Sequence, residues 1–105
     1  MLRFKIESNL QPQWEEILVR QLHLILSPVL TDIKFGVIAL YTQHDHSSNQ
    51  KYYCCKFNGH GNNNTVFYAY TQHTEGRIAI RDAFSRVRRE VIRRNRRLNL
   101  NSKTA

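Results

Sequence analysis

The stretch that decides the fold is residues 75–94, EGRIAIRDAFSRVRREVIRR. Its apolar residues recur three and four positions apart, at Ile80, Phe84, Val87 and Val91. That spacing is the period of one side of an α-helix, and arginines occupy most of the opposite side. The pattern predicts a helix that begins near residue 77, packs by its apolar side and exposes a basic outer face.

The net charge of +8 comes entirely from the last 29 residues of the chain. Residues 77–105 hold nine arginines and one lysine against two acidic residues, whereas residues 1–76 hold six basic and six acidic residues. Arginine carries a planar guanidinium whose donors match phosphate well. The composition therefore predicts a neutral globular body with one basic helix, and a polyanion as its partner.

The candidate binding residues, for RNA if the polyanion is RNA, are Arg81, Arg86, Arg88, Arg89, Arg93, Arg94, Arg96 and Arg97. Arg89/Arg93 and Arg93/Arg97 are like-charge pairs four residues apart, and each costs about 0.2–0.5 kcal/mol in a helix. Bound phosphates would offset this repulsion and release counterions. The alternative is a solvated surface without a partner, but such surfaces usually mix charges of both signs.

The remaining sequence predicts four strands and one further helix. Alternating or β-branched and aromatic residues favour strands at 2–7, 33–42, 51–58 and 65–72, and a helical stripe begins at Trp14 and ends before Pro28. The predicted fold is α+β in the order β-α-β-β-β-α. It has a four-stranded, mostly antiparallel sheet with both helices packed on one face, like a double-stranded-RNA-binding domain.

Length and composition predict a single domain over residues 1–98, with a short flexible tail at 99–105. The adjacent Cys54 and Cys55 would point to opposite faces of a strand, so a bridge between them is not expected. The sequence has no apolar run near 20 residues and no signal-peptide pattern at its start. These features predict a cytoplasmic protein with free thiols.

Aromatic residues offer a second candidate surface for nucleic acid. They are Tyr52, Tyr53, Phe57, Phe67, Tyr68 and Tyr70, all in the two predicted hairpin strands. Exposed rings on an open sheet stack on bases in single-strand binders. Core packing on one face and ordinary strand propensity on the other is the preferred interpretation.

Metal binding and catalysis have little support in the sequence. Histidines at 44, 46, 60 and 73 lie in or next to loops, without a cysteine or carboxylate cluster at ligand spacing. No serine or cysteine stands in a recognisable catalytic motif. We therefore expect no metal, no cofactor, no small-molecule substrate and no enzymatic activity.

The chain resembles the ribosome hibernation-promoting factor family, also called ribosome-associated inhibitors or sigma-54 modulation proteins. The resemblance lies in the element order, the length and the 75–94 stretch, with a strand-Asn-Gly turn at 57–59. Glu75 stands on the family's aspartate, and Ala79-Ile80 on its Ala-Ile pair. Matches to the family's Lys-Leu, Arg-Gln-Leu and Lys positions are Arg86-Val87, Arg89-Glu90-Val91 and Arg93. Departures are Arg81 for an aspartate, and Gly76 and Arg77 before the helix.

This resemblance implies a divergent short member, without the dimerisation domain of long members. Such a protein would bind the small ribosomal subunit as a monomer, occlude the channel for messenger and transfer RNA, and silence translation under stress. The eight arginines would contact ribosomal RNA phosphates. Two alternatives stay open: a general double-stranded-RNA-binding module, and a module that binds a protein or membrane through the basic helix.

Overall fold

The chain forms a four-stranded sheet and two helices, and the computed structural model describes the backbone of residues 4–104 and the side chains of residues 4–97. The elements are β1 (Phe4–Ser8), α1 (Gln13–Leu26), β2 (Ile33–Asp45), β3 (Gln50–Gly61), β4 (Val66–His73) and α2 (Gly76–Thr104), with 3₁₀ turns at Ser27–Asp32 and Asn62–Asn64. This confirms the predicted order β-α-β-β-β-α.

Two predictions concern the ends of the chain. Helix α2 continues to Thr104, through most of the segment predicted as a tail. The flexibility of residues 99–105 and the domain boundary at 98 stay predictions, and residue 105 lies outside the described residues. The predicted first strand begins at residue 2, and residues 1–3 are likewise outside the described part.

The sheet has the spatial order β1-β2-β3-β4. Strand β1 runs parallel to β2, with Phe4 beside Gly36, whereas the β2/β3 and β3/β4 pairs are antiparallel. A parallel pair needs a crossover connection, and α1 supplies it between β1 and β2. The mostly antiparallel sheet is therefore confirmed.

Helix α1 begins and ends where its sequence predicts. Glu15 and Glu16 lie in the first turn, where carboxylates interact favourably with the helix dipole. The helix ends at Leu26, two residues before Pro28, and the chain continues as a 3₁₀ turn to Asp32. Ser27 keeps helical backbone, but Pro28 has no N–H to donate to the carbonyl four residues earlier, so the α-helical hydrogen-bond pattern stops there.

The two faces of β2 are ambiguous in the sequence, because both carry apolar residues. Ile38 and Leu40 are fully buried beneath the helices, whereas Phe35 points to the opposite, open face and is 48% exposed. The open face is the solvent side of the sheet, and the core lies between the other face and both helices.

The ring of Phe57 sits at the centre of this core. It lies over two glycines on adjacent strands, Gly36 and Gly59, where a methyl group would come within 3.2 Å and 2.4 Å of ring carbons. Phe84 of α2 meets the Phe57 ring edge to face, with ring centres 6.1 Å apart. Both phenylalanines are fully buried. The two glycines therefore create the space through which α2 docks on the sheet.

We predict that Gly59→Ala lowers the free energy of unfolding by about 1–3 kcal/mol, because the added methyl group overpacks a ring that cannot move aside. Urea denaturation measures this loss. In a Phe57→Leu background the same substitution should cost clearly less, because the branched side chain leaves room. Equal costs in the two backgrounds would contradict the role assigned to this contact.

Candidate nucleic-acid interface

Helix α2 is held by the side that its sequence predicts. Ile80, Phe84 and Val91 are fully buried and Val87 is 1% exposed. All eight candidate arginines are exposed on the rest of the helix surface. The periodicity of 75–94 thus separates a packing side from a charged side, and the outer face is available to a partner.

The start of α2 is fixed by close packing at a glycine. A methyl group on Gly76 would lie 2.4 Å from Cη2 of Trp14 and 3.0 Å from Cδ2 of Tyr53. The ring centres of Trp14 and Tyr53 are 5.2 Å apart, so α1 and β3 meet beside Gly76. Thr71 of β4 donates a hydrogen bond to the carbonyl of Ala79. These contacts set the direction in which the helix leaves the sheet.

Four of the eight arginines have protein partners. The guanidinium of Arg81 lies 3.7 Å from Asp82 Oδ1, and Arg93 and Arg94 lie 3.4 Å and 3.6 Å from the two carboxylate oxygens of Glu90. These pairs are exposed, and exposed pairs contribute little to stability. They do hold the side chains in place and partly neutralise them.

Arg86 has a different partner, the main chain of an edge strand. Its Nη1 donates to the carbonyl oxygen of Tyr70 at 3.0 Å. Strand β4 is at the edge of the sheet, where unpaired backbone groups can recruit another strand. Arg86 therefore ties α2 to this edge and covers part of it, a role that its place among the basic residues does not reveal.

The other four arginines are Arg88, Arg89, Arg96 and Arg97. Within the described side chains they form no ion pair and no hydrogen bond. Arg89, Arg93, Arg96 and Arg97 surround a shallow cleft of ≈ 440 Å³ with Ile92 among its lining residues. Several guanidinium groups around one depression can contact neighbouring phosphates of a nucleic-acid backbone.

Arg94 lies where the sequence pattern is misleading. Its position in the apolar stripe predicts that the helix has already run past the sheet. Instead, its guanidinium carbon lies 5.5 Å from the ring centre of Phe67 in β4, a cation–π contact. The helix is therefore still beside the sheet at this position, and Arg94, although exposed, lies over Phe67 rather than at the outer cleft.

The six candidate stacking aromatics are divided between the two faces of the sheet. Tyr53, Phe57 and Phe67 belong to the core side, and Tyr52, Tyr68 and Tyr70 to the open face. Tyr68 is 58% exposed. The sequence-based set omits Phe35, which stacks on His60 on the open face with ring centres 4.5 Å apart. A reliable assignment of the core face of β2 would have found it.

The two cysteines point to opposite faces, as predicted, and both are free and fully buried. Cys55 is in the core, where burial raises the pKa of its thiol to about 12. Cys54 lies beneath Tyr70, whose hydroxyl donates to its sulfur at 3.5 Å, and this hydrogen bond is the main reason why the pKa of Tyr70 is raised. Neither thiol is presented to solvent as a nucleophile would be.

The polar loop between β2 and β3 is organised by its own hydrogen bonds. Asp45 accepts from the hydroxyls of Ser47 and Ser48 at 2.8 Å and 3.0 Å, and these bonds lower its pKa. Among the described residues, no three His, Cys, Asp or Glu side chains are grouped so that they could hold a metal ion. Across the same residues, no helix has the length and apolar character needed to span a membrane.

Comparison with known proteins gives a match in structure but not in sequence. No protein-family model matches the chain, and no curated protein sequence matches it. A solved ribosomal subunit interface protein from Coxiella burnetii superposes with a TM-score of 0.72, covering 88% of this chain and 96% of the other at 10% identity. The chain has the fold of that protein. The resemblance drawn from the sequence is therefore confirmed at the level of the fold.

We predict that the buried thiol of Cys55 makes the protein less stable in alkali. Because its pKa is raised from 9.0 to about 12, the folded state keeps the proton that the unfolded chain releases. The contribution of this thiol to the free energy of unfolding is complete below pH 9. Above that pH it declines by up to about 1.4 kcal/mol per pH unit.

Urea unfolding of the reduced protein and of Cys55→Val between pH 7 and pH 11 tests this. The difference in unfolding free energy between the two should be constant up to about pH 9 and should then shift in favour of Cys55→Val. A difference that stays constant over the whole range would rule out an effect of this thiol.

Proposed function

We propose that the protein is a non-enzymatic, ribosome-associated inhibitor of translation. In this proposal a single domain, residues 1–98, binds as a monomer to small-subunit ribosomal RNA in the cytoplasm. It occupies the channel of messenger and transfer RNA under stress, as in the hibernation-promoting factor family. The basic outer face of α2 makes the phosphate contacts, with Arg89, Arg93, Arg96 and Arg97 at its centre.

The observation that carries the proposal is the cleft on α2. Its guanidinium groups are exposed, three of the four have no partner among the described side chains, and the opposite side of the helix is anchored in the core. A rigid helix holds these charges at fixed spacing, so binding loses less conformational entropy than it would with a flexible basic tail.

The fold supports a ribosomal partner over other polyanions. A solved protein with this fold is named as a ribosomal subunit interface protein, and nearly all of its length corresponds to this chain. Phosphate contacts carry little sequence information, so selectivity for the ribosome would come from the shape of the RNA channel around the domain.

A general double-stranded-RNA-binding module is the second candidate. It would use the same arginines but would read the shape of any A-form duplex. Membrane binding through α2 is disfavoured, because Ile80, Phe84 and Val91 are fully buried and cannot enter a bilayer.

Co-sedimentation with purified small subunits over a salt series tests the proposal. We expect the protein to pellet with the subunits at low salt. We also expect Arg89→Gln/Arg93→Gln/Arg97→Gln to bind more weakly, with a salt slope lower by up to roughly three. A protein that stays at the top of the gradient at low salt would disprove ribosome binding.

A matched control is Lys5→Gln/Lys34→Gln/Lys56→Gln, which removes the same charge from the sheet strands. These lysines are in β1, β2 and β3, not on α2. The control should keep most of the affinity if the helix face is the interface. Equal losses in both triple variants would indicate attraction by net charge alone, and equal affinity for any RNA duplex would favour the second candidate.

A further inference from the structure

A second cavity lies on the other side of Arg97, between α2 and the end of the β3–β4 hairpin. It has a volume of ≈ 330 Å³ and is lined by Asp32, the hairpin turn, Phe67, and Arg94, Asn95 and Arg97 of the helix. Small-ligand sites span about 300–1,000 Å³, so this cavity is large enough for one small group and too small for a duplex. This cavity is separate from the α2 cleft, with which it shares only Arg97 among the lining residues.

The hairpin turn on one side of the cavity is tightly constrained. Asn63 and Asn64 both have left-handed backbone, with φ of 58° and 61°. The N–H of Gly61 donates to the carbonyl of Thr65 at 2.8 Å and closes the turn. A methyl group on Gly61 would lie 2.8 Å from the carbonyl of Asp32, so the turn is pressed against the 3₁₀ segment. Left-handed non-glycine residues often mark functional sites.

The other walls are also held in place. Asn95 donates to Asp32 at 3.1 Å, which joins α2 to the 3₁₀ turn across 63 positions of sequence. Arg94 is fixed between Glu90 and the ring of Phe67. Asn63 is exposed at the rim, and its side chain forms no hydrogen bond within the described part of the chain. The lining of the cavity thus includes the planar guanidinium of Arg94, the carboxylate of Asp32, asparagine carboxamides and a second guanidinium, that of Arg97.

We propose that this cavity binds one unpaired nucleotide of RNA, an inference that rests on the proposed RNA-binding function and extends it. The base packs against the guanidinium of Arg94, Asp32 and Asn63 hydrogen-bond its edge, and Arg97 contacts its phosphate. Single-stranded bases are commonly read by stacking on arginine planes and by hydrogen bonds to their edges.

The chemistry of the lining favours a nucleotide over a simple anion. A carboxylate in the cavity would repel inorganic phosphate, but it accepts hydrogen bonds from the amino and imino groups of a base. The carboxamide of Asn63 can both donate and accept, which suits a base edge. Because Arg97 borders both this cavity and the α2 cleft, an RNA strand on the cleft could place one nucleotide here.

Two glycine substitutions test the proposal with the backbone unchanged. Asn63→Gly and Asn64→Gly each replace a left-handed asparagine by the residue that best tolerates that conformation, so both should fold. Only Asn63 lines the cavity. Each protein is titrated with AMP, GMP, CMP and UMP, and separately with inorganic phosphate, while backbone amide shifts are followed by NMR.

We expect at least one nucleotide to shift amides around the cavity saturably in the wild type and in Asn64→Gly. We expect Asn63→Gly to bind it roughly fivefold more weakly, the effect of one lost hydrogen bond. Equal affinity of the two variants, the same shifts with inorganic phosphate, or shifts confined to the outer face of α2 would overturn the proposal.

The same wild-type protein is then tested for co-sedimentation with small subunits. Sedimentation without nucleotide shifts at the cavity would remove this inference and leave the proposed function intact. Nucleotide binding with the expected loss in Asn63→Gly, but without sedimentation, would uphold the cavity and reject the ribosomal role.

Discussion

The contact between Phe57 and Phe84 is the one on which the rest of the structure depends. It exists because two glycines on neighbouring strands leave a hollow that one aromatic ring fills. A helix that carries nine arginines from residue 77 onward cannot gain much stability from its own surface. Burial of its apolar side against the sheet must therefore hold it, and this contact lies at the middle of that interface.

The same helix serves two sets of neighbours that need different chemistry. Its inner side packs on β3 and β4, and its flanks reach the sheet edge through Arg86 and the hairpin end through Arg94. The arginines are therefore not equivalent. Some of them, such as Arg86 and Arg94, contact other parts of the protein. Others are surrounded by solvent, which a phosphate group could replace.

Much of the fold was predictable because the spacing of apolar residues along the chain distinguishes helices from strands. The four strands, both helices, the end of α1 before Pro28 and the buried stripe of α2 all follow from local pattern. The core face of β2 could not be predicted in this way. Both faces of the strand carry apolar residues, so the sequence does not show which face the helices will cover. The position of Arg94 over Phe67 also required the tertiary structure.

The candidate site shows a similar division. The outer face of α2 could be predicted from one helix, but the cavity beside it could not. Asp32, Asn63 and Asn95 come from three separate segments, and only folding brings them together. In the asparagine-rich turn, Asn63 and Asn64 have left-handed backbone, whereas none of the four glycines, all within the described residues, does. The glycines serve close packing instead.

The separation of a neutral body from a charged helix has a consequence for how the molecule moves before it binds. With its whole net charge on one element, the protein has a strong electrical asymmetry between that helix and the neutral rest of the molecule. A polyanion exerts a torque on such a particle as soon as the two come within a screening length, about 10 Å at 0.1 M salt. The protein would then rotate to approach helix first, so that orientation is selected during the encounter rather than by trial after contact.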